Sequence, residues 1–161
     1  MKKTLIALLS VGVIAPAMAA ENNIGVGFGL ANGGVLSIHG DFDVARAVQG
    51  PVMARIGFDH YAMNYGWNGG YTWSYNVFYG GAYYDLNKAM QLDRRFHPFV
   101  GLGIGIGSAS CSGPACNQVA NPSVGGLYFI GGLQYELTPK VDAELNINGW
   151  GGLTVGANFK Y

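Results

Sequence analysis

Residues 153–161 read LTVGANFKY, and their side chains alternate along the whole stretch. Leu153, Val155, Ala157, Phe159 and Tyr161 take every second position, with Thr154, Gly156, Asn158 and Lys160 between them. A strand shows successive side chains to opposite faces. One face here is apolar, the other polar or small. The apolar face runs to the final aromatic residue. In an exported protein, such an ending predicts a wall strand that faces lipid.

The N-terminus predicts export. Lys2 and Lys3 form a basic region, and Leu5 to Ile14 is an apolar run interrupted only by Ser10 and Gly12. Ala17-Met18-Ala19 follows as a small-x-small cleavage site, with cutting expected before Ala20. The run is too short for a membrane anchor, which needs about 20 apolar residues. No cysteine lies near the site to accept a lipid. Residues 1–19 are therefore read as a signal peptide and 20–161 as the mature domain.

Composition narrows the class. The chain is 50% apolar, 11% charged and rich in glycine (27 residues) and tyrosine (10 residues). This apolar content excludes disorder, and the lack of a second long apolar run excludes a helical membrane protein. A soluble β-sandwich would carry more charge on its outer faces. Without Lys2 and Lys3, seven basic residues face nine acidic ones, so there is no electrostatic footprint for nucleic acid. Cys111 and Cys116 lie close together among small polar residues. In an exported chain they are expected to form a disulfide, which contributes about 2 kcal/mol in the chain-entropy account.

Eight alternating segments can be read: 23–31, 35–44, 52–61, 72–85, 96–108, 125–137, 141–148 and the terminal strand. In the second, Leu36, Ile38, Phe42 and Val44 alternate with Ser37, His39, Asp41 and Asp43. In the fifth, Val100, Leu102, Ile104 and Ile106 alternate with glycines. The fourth resists a facial assignment, because Tyr and Phe occupy both parities. Several segments match the 9–11 or so residues that a tilted membrane strand needs.

An even strand number puts both termini on one side, the periplasm in bacterial barrels. Residues 45–51, 85–95 and 138–140 then become periplasmic turns. Residues 32–34, 62–71, 109–124 and 149–151 become outer loops. Arg46, Lys88, Arg94, Arg95 and Lys140 all fall in or beside the turns, and no outer loop holds a charge. GVGFG and GLGIGIG superficially suggest nucleotide-binding loops, yet neither has GxGxxG spacing or opens a helical pattern. Read as inward glycines, they relieve crowding in a narrow lumen and let a long side chain such as Arg55 cross it.

The ending on Phe159 and Tyr161 resembles the C-terminal assembly signal of bacterial outer-membrane β-barrels. FHPFVGLGIGIG (96–107) and GGLQYELTPKVDAELNI (131–147) are similar to a strand and a hairpin of small barrels related to the OmpA membrane domain and OmpX. The resemblance spans the whole chain. It implies an all-β fold, an eight-stranded antiparallel transmembrane β-barrel after a cleaved signal peptide, in the bacterial outer membrane. It also implies outer-membrane lipids and the assembly machinery as partners. A peptidoglycan-binding domain is not expected after the barrel, so wall tethering is not expected to carry over.

Eight-stranded barrels are filled by side chains. The expected lumen network is His39, Asp41, Asp43, Arg55, Asp59, Glu136, Asp142, Glu144 and Lys160. The alternatives are a very small pore through these groups and a lipid A-modifying enzyme. Ester cleavage needs a serine, a histidine and an acid in one place. His60, in FDHYAMNY, superficially resembles a deacylase His-x-Ser-Asn element, but Ala62 stands where its serine would be. No two histidines share a metal-ligand spacing. No catalytic residue, metal or cofactor is assigned. A surface ligand or host contact is expected through 62–71 and 109–124. The aromatic residues there, with Trp73 and Trp150, can alternatively belong to the interfacial girdle.

Overall fold

The computed structural model describes residues 22–29, 34–65, 70–116, 122–149 and 152–161. The expected signal peptide and residues 30–31 of the first expected strand lie outside them. Eight strands follow one another: β1 (Asn23–Gly29), β2 (Val35–Asp43), β3 (Val52–Tyr65), β4 (Tyr71–Asp85), β5 (Phe96–Ser112), β6 (Ser123–Thr138), β7 (Val141–Asn148) and β8 (Gly152–Lys160). Each pairs antiparallel with the next, and β8 closes the ring on β1, with Phe159 opposite Ile24 and Val155 opposite Phe28. Closure satisfies the backbone without an open edge, the condition for crossing lipid with strands.

The burial pattern is inverted relative to a soluble protein. Ile104 and Phe28 are each 66% exposed, while Arg55, Asp41 and Asp59 have no exposure. Exposed apolar side chains from all eight strands form one belt, far beyond the patches soluble monomers leave uncovered. On β5 the belt runs from Phe96 to Ile106, about 33 Å along the strand. Tilted by about 45°, that is roughly 24 Å of height, the span of an outer-membrane barrel's apolar band. Phe42, Tyr84, Phe96, Tyr135 and Tyr161 are exposed at its turn-side border, where an aromatic girdle belongs.

Register settles the fourth strand. Ile56 lies opposite Gly80 and Phe58 opposite Phe78, which turns Phe78 and Tyr84 outward and buries Val77, Tyr79 and Tyr83.

Two of the three expected turns are helical. Helix α1 (Ala45–Val48) follows β2, and α2 (Leu86–Met90) follows β4. They repeat one design, DVARAVQ at 43–49 and DLNKAMQ at 85–91, which sequence reading missed. The Asp43 carboxylate accepts the Ala45 N–H at 2.6 Å, and Asp85 accepts the Asn87 N–H at 2.8 Å. Asp85 is the N-cap of α2, whereas the N-cap of α1 is Val44 and Asp43 stands one residue before it; each oxygen satisfies an otherwise orphaned first-turn donor. Gln49 and Gln91 end the helices in the left-handed region, at φ 55° and 52°.

The outer connections are shorter than the expected loops 62–71 and 109–124. β3 and β4 run as a paired hairpin to Tyr65 and Tyr71, β5 continues to Ser112, and β6 begins at Ser123. Apolar alternation stops where lipid stops, but backbone pairing does not depend on it. The Thr72 hydroxyl donates to Asn64 Oδ1 at 2.8 Å, and the Tyr65 and Tyr71 rings stack 5.3 Å apart across the hairpin.

Candidate functional site

The lumen is built in three layers. Arg55, on β3, occupies the middle one. Its Nε and Nη2 donate to the two Asp41 oxygens at 2.6 and 2.7 Å. Its Nη1 and Nη2 donate to the two Glu144 oxygens at 3.2 and 2.9 Å. Asp41 is on neighbouring β2 and Glu144 on β7, across the ring from β3. The guanidinium also lies 5.1 Å from the Tyr83 ring centroid and 5.0 Å from that of Phe99.

The carboxylates have further donors. Asp41 accepts the Tyr83 hydroxyl at 2.9 Å. Glu144 accepts amide N–H groups of Gln134, Asn146 and Asn158 at 2.9, 2.9 and 2.6 Å. His39 Nε2 stands 3.5 Å from Glu144 and 3.1 Å from Asn158 Oδ1. A side chain at Gly25 would collide with both His39 and Asn158. That inward glycine makes room for the cluster. Buried ions require such complete pairing, because a single unmatched charge is strongly destabilising.

Above, toward the loops, Asp59 accepts hydroxyls from Tyr61, at 2.6 Å, and Tyr128. The Tyr79 and Tyr128 rings stack at 4.2 Å, and Val35, Val77 and Ile130 pack around them. Below, toward the turns, Lys160 Nζ lies 3.0 Å from Asp142 and 3.4 Å from Glu136. His97 Nδ1 is 3.0 Å from Asp85, and its Nε2 is 2.8 Å from the Arg94 carbonyl.

The expected network is thus distributed. His39, Asp41, Arg55 and Glu144 meet in one cluster. Asp59 lies in the layer above, and Glu136, Asp142 and Lys160 in the layer below. Asp43, half-buried at the end of β2, accepts the Ala45 N–H in the first turn of α1. The buried tyrosines 61, 79, 83 and 128 were not among the expected lumen residues. Their signal was inward parity on β3, β4 and β6, obscured on β4 by aromatic residues on both faces.

His39, Asp41 and Glu144 bring three metal-ligand types within 4.8 Å, although no ligand spacing exists in the sequence. All four of their carboxylate oxygens already accept from Arg55. An internal cation holds the place a metal would take. His60 Nδ1 pairs with Asn76 Oδ1 at 2.9 Å across β3 and β4. Among the described residues, the partners of the three histidines are amides, carboxylates and a backbone carbonyl.

The outer surface has a sharp chemical boundary. Phe58, Phe78, Ile106 and Gly125 lie in one cross-strand row. The next outward-facing row is His60, Asn76, Ser108 and Ser123. Beyond it the positions on that face are small or polar, with Ala62, Ser74 and Ser110 in one row and Asn64, Thr72 and Ser112 in the next. The opposite, concave face of β3 and β4 carries Tyr65, Tyr71, Trp73 and Tyr75. Trp73 and Tyr75 stack at 6.1 Å. Trp73 thus shares the parity of the buried lumen residues and is not a girdle residue, while Trp67 and Trp150 lie outside the described residues. Cys111, near the end of β5, is bonded to Cys116 in the short helical turn Pro114–Cys116. No Lys, Arg, Asp or Glu occurs between residues 60 and 84 or between 96 and 135.

No family model and no curated protein matches this chain. Solved structures do. Ail, the attachment invasion locus protein of Yersinia pestis, is similar at a TM-score of 0.59 and 15% identity, over 89% of this chain and 100% of that one. A second Ail structure holds the heparin analogue sucrose octasulfate. Neisserial surface protein A is similar at 0.55 and 14% identity, over 88% and 96% of the two chains. The N-terminal β-barrel domain of Pseudomonas aeruginosa OprF is similar at 0.51 and 13% identity, over 88% and 99%. The chain has the fold of these small barrels, as the sequence resemblance implied.

Proposed function

We propose that this protein is an integral outer-membrane barrel with a side-chain-filled lumen, and that its protruding hairpins make uncharged contacts at the cell surface without catalysis. One observation carries the reading: the lipid-facing wall turns polar at one row, while β3, β4 and β5 continue beyond it. Paired strands hold Tyr65, Tyr71 and Trp73 outside the belt on a braced sheet. Ordered aromatic rings bind proteins or glycans by stacking and apolar contact at low entropic cost.

The sulfated ligand of Ail does not transfer readily. A polyanion needs Lys or Arg partners, and the outer hairpins have none. The filled upper and middle layers favour a plug over a pore, because Arg55, Asp59, Tyr61 and Tyr128 occupy the lumen with 2% exposure or less.

The test is a strain in which 63–73 is replaced by a two-residue turn. The shortened barrel should still reach the outer membrane but lose adhesion to host cells or surfaces relative to wild type. Unchanged adhesion by both this strain and a deletion strain would contradict the surface role. Conductance steps from purified protein in planar bilayers would favour the pore, and altered lipid A mass spectra would favour the enzyme.

A further inference from the structure

The turn-side mouth of the barrel holds a cavity of about 500 Å³ that the surface-contact reading does not use, and all eight strands contribute to its wall. This is the size range of small-molecule sites. Its floor is Tyr83, Phe99 and Gln134, which separate it from the Arg55 cluster. Four carboxylates line it, from Asp43, Asp85, Glu136 and Asp142, against two permanent cations, Arg94 and Lys160. Lys160 is shared by Glu136 and Asp142. His97, on the same wall, lies 3.0 Å from Asp85, so even with that imidazole protonated four carboxylates face three cations, and internal pairing leaves a small surplus of negative charge.

A second, independent observation lies on the same wall. Asn23 is only 4% exposed, and its Oδ1 accepts no hydrogen bond from any described group. A buried acceptor without a donor is unfavourable until a donor arrives. The acidic wall and this carbonyl oxygen require the same thing, a positively charged N–H group. Met53 and Phe99 add apolar surface between the polar groups. A bare divalent ion fits less well. Among the described residues, the one set of ligand atoms close enough to share an ion is His39, Asp41 and Glu144, which Arg55 fills.

We propose that this mouth binds a linear di- or polyamine, with an ammonium donating to Asn23 Oδ1 and the neighbouring carboxylates and the methylene chain lying along Met53 and Phe99. The site faces the side opposite the protruding hairpins, so it is independent of the surface role.

The test is an NMR titration of the full mature chain, refolded in micelles, with spermidine, 1,8-octanediol and Mg²⁺ as separate probes. Spermidine should give saturable shifts centred on the Asn23 side-chain amide and the turn-side strand ends, and the uncharged diol should not. Asn23→Leu should weaken spermidine at least tenfold. If that variant fails to fold, Asp43→Asn combined with Glu136→Gln should do the same in a barrel whose Arg55 cluster is untouched. Non-saturating shifts spread over exposed carboxylates would overturn the proposal. So would equal affinity in a folded variant, or Mg²⁺ saturating the same resonances at lower concentration than spermidine.

Discussion

Arg55 holds the middle of the barrel because only a planar fork of five donors reaches carboxylates on two sides at once. Asp41 and Glu144 each receive two of its hydrogen bonds. Arg55→Ala would leave both carboxylates buried without their cation and should destabilise the barrel by about 3–5 kcal/mol. The urea midpoint for unfolding from lipid vesicles measures this. Arg55→Lys should recover only part of the loss, since an ammonium keeps the charge without the paired geometry. Full stability in Arg55→Ala would show that the cluster does not hold the wall. At this scale the sequence disclosed parity but not partnership. It placed Arg55, Asp41 and Glu144 inward and let Arg55 cross the lumen. Which acid it meets depends on ring closure, which puts β7 across from β3. Asp43 shows the limit: inward parity holds, but its oxygen is taken by a local backbone N–H.

The strands obey one rule outside and another inside, and the outside rule changes at a single row. Ile104 lies within the apolar belt and Ser110 beyond its edge, both on β5. Ile104→Arg should cost about 2–4 kcal/mol, and Ser110→Arg about 0–1, read from the same unfolding midpoints. Equal costs would misplace the boundary. The repeated turns make a second test. Asp43→Ala removes one first-turn hydrogen bond and should cost about 1 kcal/mol, while Asp85→Ala removes the α2 cap and the His97 contact together and should cost more. Their effects should add, because they act on different turns. The walls were legible because lipid outside and a packed lumen inside enforce strict alternation. The protruding hairpins were not, because beyond the boundary both faces meet water and the periodic signal fades even though pairing continues to Tyr65 and Tyr71. β4 was ambiguous for a related reason: tyrosine serves in a polar lumen and in an interfacial girdle alike, as Tyr83 and Tyr84 do side by side.

The whole molecule is an inverted protein, with ions and tyrosines inside and an apolar belt outside. Its last strand closes the ring: β8 pairs with both β7 and β1, and Phe159 is 51% exposed on the lipid face. Under the proposed assembly role, Phe159→Ala with Tyr161→Ala should leave export intact and block insertion, seen as loss of the heat-modifiable band from outer-membrane fractions. Normal insertion of that variant would remove the role assigned to these two residues. Fold class was readable from the terminal nine residues outward, because a closed ring imposes the same alternation on every strand. The amine-sized mouth was not readable, since its wall takes one or two residues from each of eight strands.

In the proposed topology the barrel spans the membrane, with the β3–β4 hairpin on the cell surface and the turns within. Labelling intact cells with a membrane-impermeant maleimide tests it most directly. In a Cys111→Ser, Cys116→Ser background, Asn64→Cys should label on whole cells, while Lys140→Cys should label only after the outer membrane is opened. Labelling of Lys140→Cys on whole cells with Asn64→Cys protected would invert the topology, and labelling of both would contradict a spanning barrel.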